Sequence, residues 1–385
     1  MFDGYRFRGG FHGGPVTVMV EDGRIGAVEF ASAGCPPDTT LVDLGGAALL
    51  PGLIDAHTHL CWDPAGDPQA LADTAHDALA DRARRHAAAA LSAGITTLRD
   101  LGDRDFATLT LREEYRRGAQ VGPELLVSGP PLTRRGGHCW YLGGEAEDTG
   151  ALVAAVRERA DRGVDWVKIM ATGGFMTTGT DPCRPQYSAD ELAAVVDAAH
   201  RAGLPVTAHA HATAGIAAAV AAGVDGIEHC TFLTESGVAA SPEVVEAIVG
   251  RGVWCGITIG RALPEMPDDI KALMEGVWRN IRRLIDAGAR VAFSTDAGIE
   301  PAKAHDVLPD ELAELVRHGF TTTEALTGAT SAAADSCGLG RRKGRIAAGY
   351  DADLLAVPAR VKQDLTALRD VEAVWRAGRR VAGRG

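Results

Sequence analysis

From residue 51 onward the chain repeats one pattern eight times: a short, nearly continuous apolar run that precedes a polar or helical stretch. The runs are PGLIDAHTHL (51–60), ITTLRD (95–100), ELLVSG (124–129), VDWVKIM (164–170), VTAHAH (206–211), GIEHC (226–230), VWCGITI (253–259) and RVAFSTDAG (290–298). A strand with one wet face alternates apolar and polar residues. Continuous apolar runs need cover on both faces, the habit of a parallel sheet flanked by helices. Segments 69–93, 106–117, 151–162, 188–202, 215–222, 269–287, 307–318 and 322–335 read as helices, and Ser188 with Glu191 three residues on forms a capping-box pattern. Strand–helix alternation of this length predicts an α/β fold, a (β/α)8 TIM-type barrel. No internal repeat or low-complexity linker interrupts it.

The two ends differ from the middle. VTVMV (16–20), the turn residues 21–24 and IGAVEF (25–30) read as a hairpin. Near the other end, GRIAAGYDADLLAV (344–357) and VEAVWRAGRRVAG (371–383) are strand-and-turn segments without helical period. The expectation is a small β-sandwich domain built from both termini, residues 1–50 plus 340–385, around a barrel domain of 51–339.

Composition narrows the class. A chain of 385 residues with 46% hydrophobic and 23% charged residues has ample material for a large core. The net charge of −12 argues against nucleic acid as a partner, since such binders carry basic patches. Seven cysteines, odd in number and without CxxC spacing, fit reduced thiols in the cytoplasm better than a disulfide framework. No run has the length of a signal-peptide core or a membrane span, so no membrane partner is expected.

In a (β/α)8 barrel, chemistry sits at the C-terminal ends of the strands. His57 and His59 are two apart and share a strand face, as two ligands of one metal ion do. Lys168, His209, His211, His229 and Asp296 also fall late in their apolar runs. Any one of these is more often a hydrogen-bonded core residue than a ligand. Ionisable groups are rare in such runs unless paired or metal-bound, and their common placement on one rim points to a metal centre.

PGLIDAHTHL, the lysine of VKIMATGG, the histidines of VTAHAH and GIEHC and the aspartate of FSTDAG together resemble the amidohydrolase superfamily, in its imidazolonepropionase-like and Xaa-Pro-dipeptidase-like branch. The likeness spans essentially the whole chain, including GRIAAGYDADLL. It implies a binuclear site in which His57, His59 and Asp296 hold one divalent ion, His209 and His229 the other, and a CO2-carboxylated Lys168 bridges both. Zinc suits imidazole and carboxylate donors, although manganese or iron is not excluded by ligand type. A buried lysine has a lowered pKa and hence a neutral amine able to take up CO2. Two metals about 3.5–4 Å apart share a water, lower its pKa towards neutrality and polarise a carbonyl. Asp296 then accepts the water's proton and delivers it to the leaving amine.

The same resemblance places His138, in the loop after the third strand, against the substrate carbonyl or carboxylate. His211 becomes a substrate contact or a partner of the ligands. Thr172, Gly173 and Gly174 form a loop over the mouth, where backbone amides are expected to approach substrate. Dipeptidase-like members tend to carry a tyrosine near Phe232, and its absence favours a substrate other than a simple Xaa-Pro or Xaa-Arg dipeptide. The reaction read from this is hydrolysis of a peptide or related amide C–N bond in a small-molecule or peptide substrate. Rival readings are a cyclic amide, a carbamate or an aryl amide, or a biosynthetic peptidase trimming the C-terminal part of a precursor. A mononuclear deaminase-like site usually lacks the strand-four lysine, and a catalytically silent scaffold would have lost a ligand. Members of the branch often assemble, so a homo-oligomer is compatible with the reading.

Overall fold

The computed structural model describes residues 1, 11–30, 38–260, 268–299 and 303–383. The strands are β1 (Thr17–Glu21), β2 (Arg24–Glu29), β3 (Ala47–Pro51), β4 (Leu53–Thr58), β5 (Ile95–Asp100), β6 (Glu124–Val127), β7 (Val167–Met170), β8 (Val206–Ala212), β9 (Gly226–Thr234), β10 (Gly237–Val238), β11 (Trp254–Thr258), β12 (Arg290–Ser294), β13 (Leu354–Pro358), β14 (Ala373–Arg376) and β15 (Arg379–Gly383). Helices α1 (His76–Ser92), α2 (Ala107–Arg116), α3 (Thr149–Arg162), α4 (Ala189–Arg201), α5 (Thr213–Ala222), α6 (Pro242–Arg251), α7 (Asp268–Asp286), α8 (Leu308–Arg317), α9 (Thr322–Gly328) and α10 (Ser331–Ser336) fill the intervals.

Strands β4-β5-β6 form one parallel sheet, and β7-β8-β9-β11-β12 run parallel in another. Backbone hydrogen bonds join them at both seams. Leu132 donates to the Lys168 carbonyl at 2.8 Å and accepts from Met170 N at 2.8 Å. On the other side Asp296 N donates to His57 O at 2.8 Å and His59 N to Ala297 O at 2.9 Å. This is a TIM-barrel-type α/β fold. Its strands bury Leu53, Ile54, Val167, Ile169, Val206, Ile227 and Ile257 almost completely, each worth about 1.5–3 kcal/mol of transfer free energy.

The apolar run Ala48–Leu50, just before the first strand of the parallel sheet, is a strand of its own. It belongs to β3, which pairs antiparallel with β13 in a four-stranded sheet of order β15-β14-β13-β3. The β1–β2 hairpin forms as expected, and Ile25 exchanges backbone hydrogen bonds with Gly349 and Tyr350. Met1, Ile25, Ile346, Ala352 and Leu354 pack into one apolar cluster between these segments.

Three helical expectations shift. Segment 69–93 divides into a 3-10 turn, Pro68–Asp73, and α1, because Asp67 caps the turn and Thr74 is extended. Segment 322–335 divides at Thr330 (φ −129°, ψ −93°), whose hydroxyl donates to Leu326 O at 2.6 Å. Helix α6, with proline in its first turn and Val245 and Ile248 buried, supplies the element between β9 and β11 that the sequence pattern did not single out. The capping box on α4 forms in full. Cys61, Cys139, Cys183, Cys230, Cys255 and Cys337 are free thiols, and Cys35 lies outside the described residues. Among the described residues no helix is long and apolar enough to cross a membrane.

Candidate active site

His57 lies on β4 and His59 just past it, Lys168 on β7, His209 and His211 on β8, His229 on β9 and Asp296 just past β12. All seven side chains come together, each in a residue no more than 8% exposed. His57 Nε2 and His59 Nε2 converge on one oxygen, Asp296 Oδ1, at 3.4 and 3.1 Å. Lys168 Nζ is 3.3 Å from His57 Nε2. The His229 ring lies 5.2 Å from that of His57 and 4.6 Å from that of His209. Ligand atoms of His57, His229 and Asp296 fall within 4.8 Å of one another, as do those of His209, His211 and His229. His229 therefore stands in both groups, and His211 joins the second.

Each imidazole is oriented by one ring nitrogen. A backbone carbonyl only accepts, so His59 Nδ1 donates to Gly102 O at 2.9 Å and His209 Nε2 to Gly173 O at 3.0 Å. His57 Nδ1 donates to Glu228 Oε2 at 2.9 Å. His229 Nδ1 and His211 Nδ1 pair with the hydroxyls of Thr258 and Thr231 at 2.8 and 2.9 Å. With Nδ1 donating, Nε2 of His57 and of His59 is left as a lone pair in the neutral ring. Lone pairs of His57 and His59 set 3.1–3.4 Å from a carboxylate oxygen repel unless a cation or a proton stands between them. The donor set of imidazole and carboxylate is the one zinc takes, so these residues fit a divalent metal.

Electrostatics follow from burial. It pushes the Lys168 ammonium down, against Glu228 and Asp296. Burial and the Lys168 charge bring His57 down to about 4. It would raise the Asp296 carboxyl, but His57 and His59 outweigh it and the net shift is downward. Burial pulls His59 down too, yet the hydrogen bond and charge of Asp296 win and its net shift is upward. His209 and His229 are held far below the usual imidazole range by burial and by neighbouring imidazoles.

A second layer underlies these residues, which reading only the strand ends passed over. Asp55 accepts from Thr295 Oγ1 at 2.5 Å and Thr295 N at 3.1 Å, fastening β4 to the segment that carries Asp296. Glu228 takes Arg99 Nη2 at 3.0 Å and Thr207 Oγ1 at 2.6 Å. An acid and an arginine inside apolar strands were the available signal. His229, at φ +66°, breaks the in–out alternation of β9, so Glu228 and His229 both reach the interior.

At the mouth, His138 is buried with its ring 4.5 Å from that of His209, and its Nδ1 has no hydrogen-bond partner. A Cβ on Gly174 would lie 2.4 Å from His138 Nε2, so glycine is what lets the loop close on this ring. The backbone amides of the loop are already engaged: Thr172 N with His209 O, Gly173 N with Arg184 O and Gly174 N with Thr180 Oγ1. Their part is to hold the loop and His209, which corrects the expectation that they reach substrate. Phe232 is fully buried in the main core and presents nothing to the mouth. Phe175, 61% exposed, stands edge-on to His211 with ring centroids 5.1 Å apart.

Comparison with known proteins agrees with this geometry. Residues 48–381 match the amidohydrolase family. Imidazolonepropionase of Deinococcus deserti is 30% identical, with 95% of this chain and 92% of that protein covered. Ochratoxinase of Aspergillus niger is 28% identical, covering 88% of this chain and 76% of that one. A crystal structure of a Xaa-Pro dipeptidase with bound methionine in its active site superposes with a TM-score of 0.85 at 26% identity, over 96% of this chain and 95% of that one. With a match over most of its length and a site of this composition, the chain belongs to the amidohydrolase family and is a hydrolase acting on amide C–N bonds.

Proposed function

We propose that the chain is a binuclear metal hydrolase of a peptide or related amide bond. His57, His59 and Asp296 would hold one divalent ion, His209 and His229 the second, and a carboxylated Lys168 would bridge them. The observation that carries this is the convergence of His57 and His59 Nε2 on Asp296 Oδ1 while both Nδ1 atoms are engaged elsewhere. When bound, the metal pair supplies an activated water at neutral pH and polarises the scissile carbonyl. Asp296 keeps its carboxylate and accepts the proton of the attacking water on Oδ2, then returns it to the departing amine. His138 and His211, kept neutral by burial with values of about 3 and 4, donate hydrogen bonds to the substrate carbonyl or carboxylate.

The scaffold reads as two domains: a (β/α)8 barrel over 51–339 and a β-sandwich from 1–50 with 340–385. Pairing of β3 with β13 and the shared apolar cluster around Ile25 and Leu354 support that division.

A narrower reading concerns the substrate. The Phe232 position offers no hydroxyl for an α-carboxylate, and the likeness to ochratoxinase extends over 88% of the chain. Both favour an amide whose amine or acyl part is not that of a simple dipeptide, such as an aryl amide, a cyclic amide, a carbamate or the C-terminal part of a precursor peptide. The test is metal content of protein expressed with zinc and bicarbonate, with hydrolysis assayed over N-acyl amino acids, aryl amides and lactams. About two metals per chain and turnover of one class establish the reading. Absence of metal, with no turnover, overturns it.

A further inference from the structure

Beneath the site lies a charged chain that the proposed reaction does not use. Arg99 on β5 and Glu228 on β9 are 3% and 1% exposed, in the middle of the strand layer. The guanidinium donates from Nη2 to Glu228 Oε1 at 3.0 Å and from Nε to Ala56 O at 2.7 Å, and it stacks on Trp166 with its carbon 4.5 Å from the ring centroid. Glu228 Oε1 also receives the Thr207 hydroxyl, while Oε2 receives His57 Nδ1 at 2.9 Å. A Cβ on Gly256, from the neighbouring strand, would fall 2.3 Å from Oε2. The fold leaves room here for one carboxylate.

A buried ion pair is weak evidence for stability, because packed apolar side chains of the same volume often serve as well or better. What apolar residues cannot do is accept a hydrogen bond from an imidazole. A histidine that ligates a metal commonly donates its other ring N–H to a carboxylate, which fixes tautomer and orientation and raises ligand basicity. The three-residue chain has that form, with Arg99 anchoring the far end of the carboxylate.

We propose that Arg99 and Glu228 are positioning residues for His57: Arg99 holds the Glu228 carboxylate in register, and Glu228 holds His57 with Nδ1 protonated and Nε2 presented to a metal ion. This rests on the binuclear reading above. It adds an asymmetry, because His209 and His229 are oriented instead by Gly173 O and Thr258 Oγ1. Loss of Glu228 then weakens one metal position and spares the other.

The experiment is a zinc titration of metal-depleted protein against a chromophoric chelator, for wild type, Glu228→Gln, Arg99→Met and the double variant. Circular dichroism and thermal midpoints of the depleted proteins are recorded alongside. Glu228→Gln keeps the shape and lowers affinity at one of the two positions by about 10- to 100-fold, the range typical of such outer partners. Arg99→Met gives a smaller loss in the same position. The double variant is no worse than Glu228→Gln, since the two act through one contact to His57. If Glu228→Gln does not fold, the double variant, which leaves no unpaired buried charge, carries the test. Equal weakening of both positions, unchanged affinity, or additive losses overturns the proposal. A wild type that takes up no zinc overturns the metal reading itself, whereas two tight sites in both wild type and Glu228→Gln overturn this inference alone.

Discussion

Lys168 Nζ and His57 Nε2 lie 3.3 Å apart in a layer where both residues are 1% exposed. Burial disfavours the ammonium, which favours the neutral amine that the proposed carboxylation of Lys168 requires. Lys168→Ala is expected to lose at least one metal per chain and about 100-fold or more in kcat/KM, since even outer partners of a metal are worth 10–100-fold. A short-chain carboxylate added with zinc restores part of the activity in Lys168→Ala, because it supplies the missing anion in the vacated space. Elemental analysis with and without the carboxylate checks this. Full metal content in Lys168→Ala would falsify the bridge.

His138 and Gly174 give a second prediction, made at the mouth and not at the metals. The missing side chain at Gly174 leaves space for the His138 ring, and any Cβ there meets Nε2 at 2.4 Å. Gly174→Ala is therefore expected to displace His138 and to reproduce most of the effect of His138→Ala. A misplacement of about 1 Å in a catalytic contact costs on the order of 100-fold in rate. Metal content stays that of wild type in both variants. Steady-state kinetics with elemental analysis decides it; a metal loss equal to the activity loss would show that the loop acts on the ligands instead.

Much of this architecture was legible because the strand–helix alternation announces itself locally. Eight apolar runs need no distant partner to be recognised, and the ligand candidates stand out as ionisable residues within them. The Ser188–Glu191 capping box was readable for the same reason, its two halves being three residues apart. What escaped was long-range or conformational. The run Ala48–Leu50 falls within the terminal segment 1–50, but no local pattern names its partner, β13, from the far end of the chain. Glu228 was hidden by the rule of alternation, which places it opposite His229; the left-handed backbone at His229 voids that rule. Thr172, Gly173 and Gly174 looked like open amides until the loop 172–186 folded back and engaged them.

The ionic cluster under the barrel predicts an acid transition. Glu124 on β6 pairs with Arg342, with Lys343 Nζ at 3.0 Å and with Arg376 at 3.1 Å, and the same cations bind Asp351 and Asp353 on the way to β13. Burial opposes the Glu124 carboxylate, but Arg342, Lys343 and Arg376 bring it down from 4.5 to about 2. A carboxyl depressed on folding contributes stability that is complete above its unfolded value and is lost as pH falls towards the folded one. The window is thus from about 4.5 down to 2, and the contribution at neutral pH is at most about 3 kcal/mol at 1.36 kcal/mol per unit. Glu124→Gln is expected to melt well below wild type at pH 7, with the gap narrowing below pH 4.5. A gap that stays constant down to pH 3 would mean that the cations find other partners.

Metal removal ties the site to the fold. The side chains of His57, His59, His209, His229 and Asp296 are brought by four separate strands or strand ends, β4, β8, β9 and β12, and the closing seam between β4 and β12 runs through His57 O and Asp296 N. A ligand that binds the native state alone stabilises it by RT ln(1 + [L]/Kd), about 4 kcal/mol when free metal stands at a thousand times Kd. Without metal, His57 Nε2 and His59 Nε2 still face one oxygen, Asp296 Oδ1, and a proton on His59 satisfies only one of the two contacts, so the depleted protein loses this stabilisation and retains part of the repulsion. Chelator-treated protein is expected to melt several degrees lower, and zinc restores the midpoint in a concentration-dependent way. In Glu124→Gln the zinc-dependent increment stays that of wild type, because the ionic cluster shares no side chain with the metal site and distant effects add. Thermal melts of both proteins across a zinc series measure the increment. A midpoint indifferent to chelator and zinc would separate these histidines from any metal and leave their convergence to protons alone.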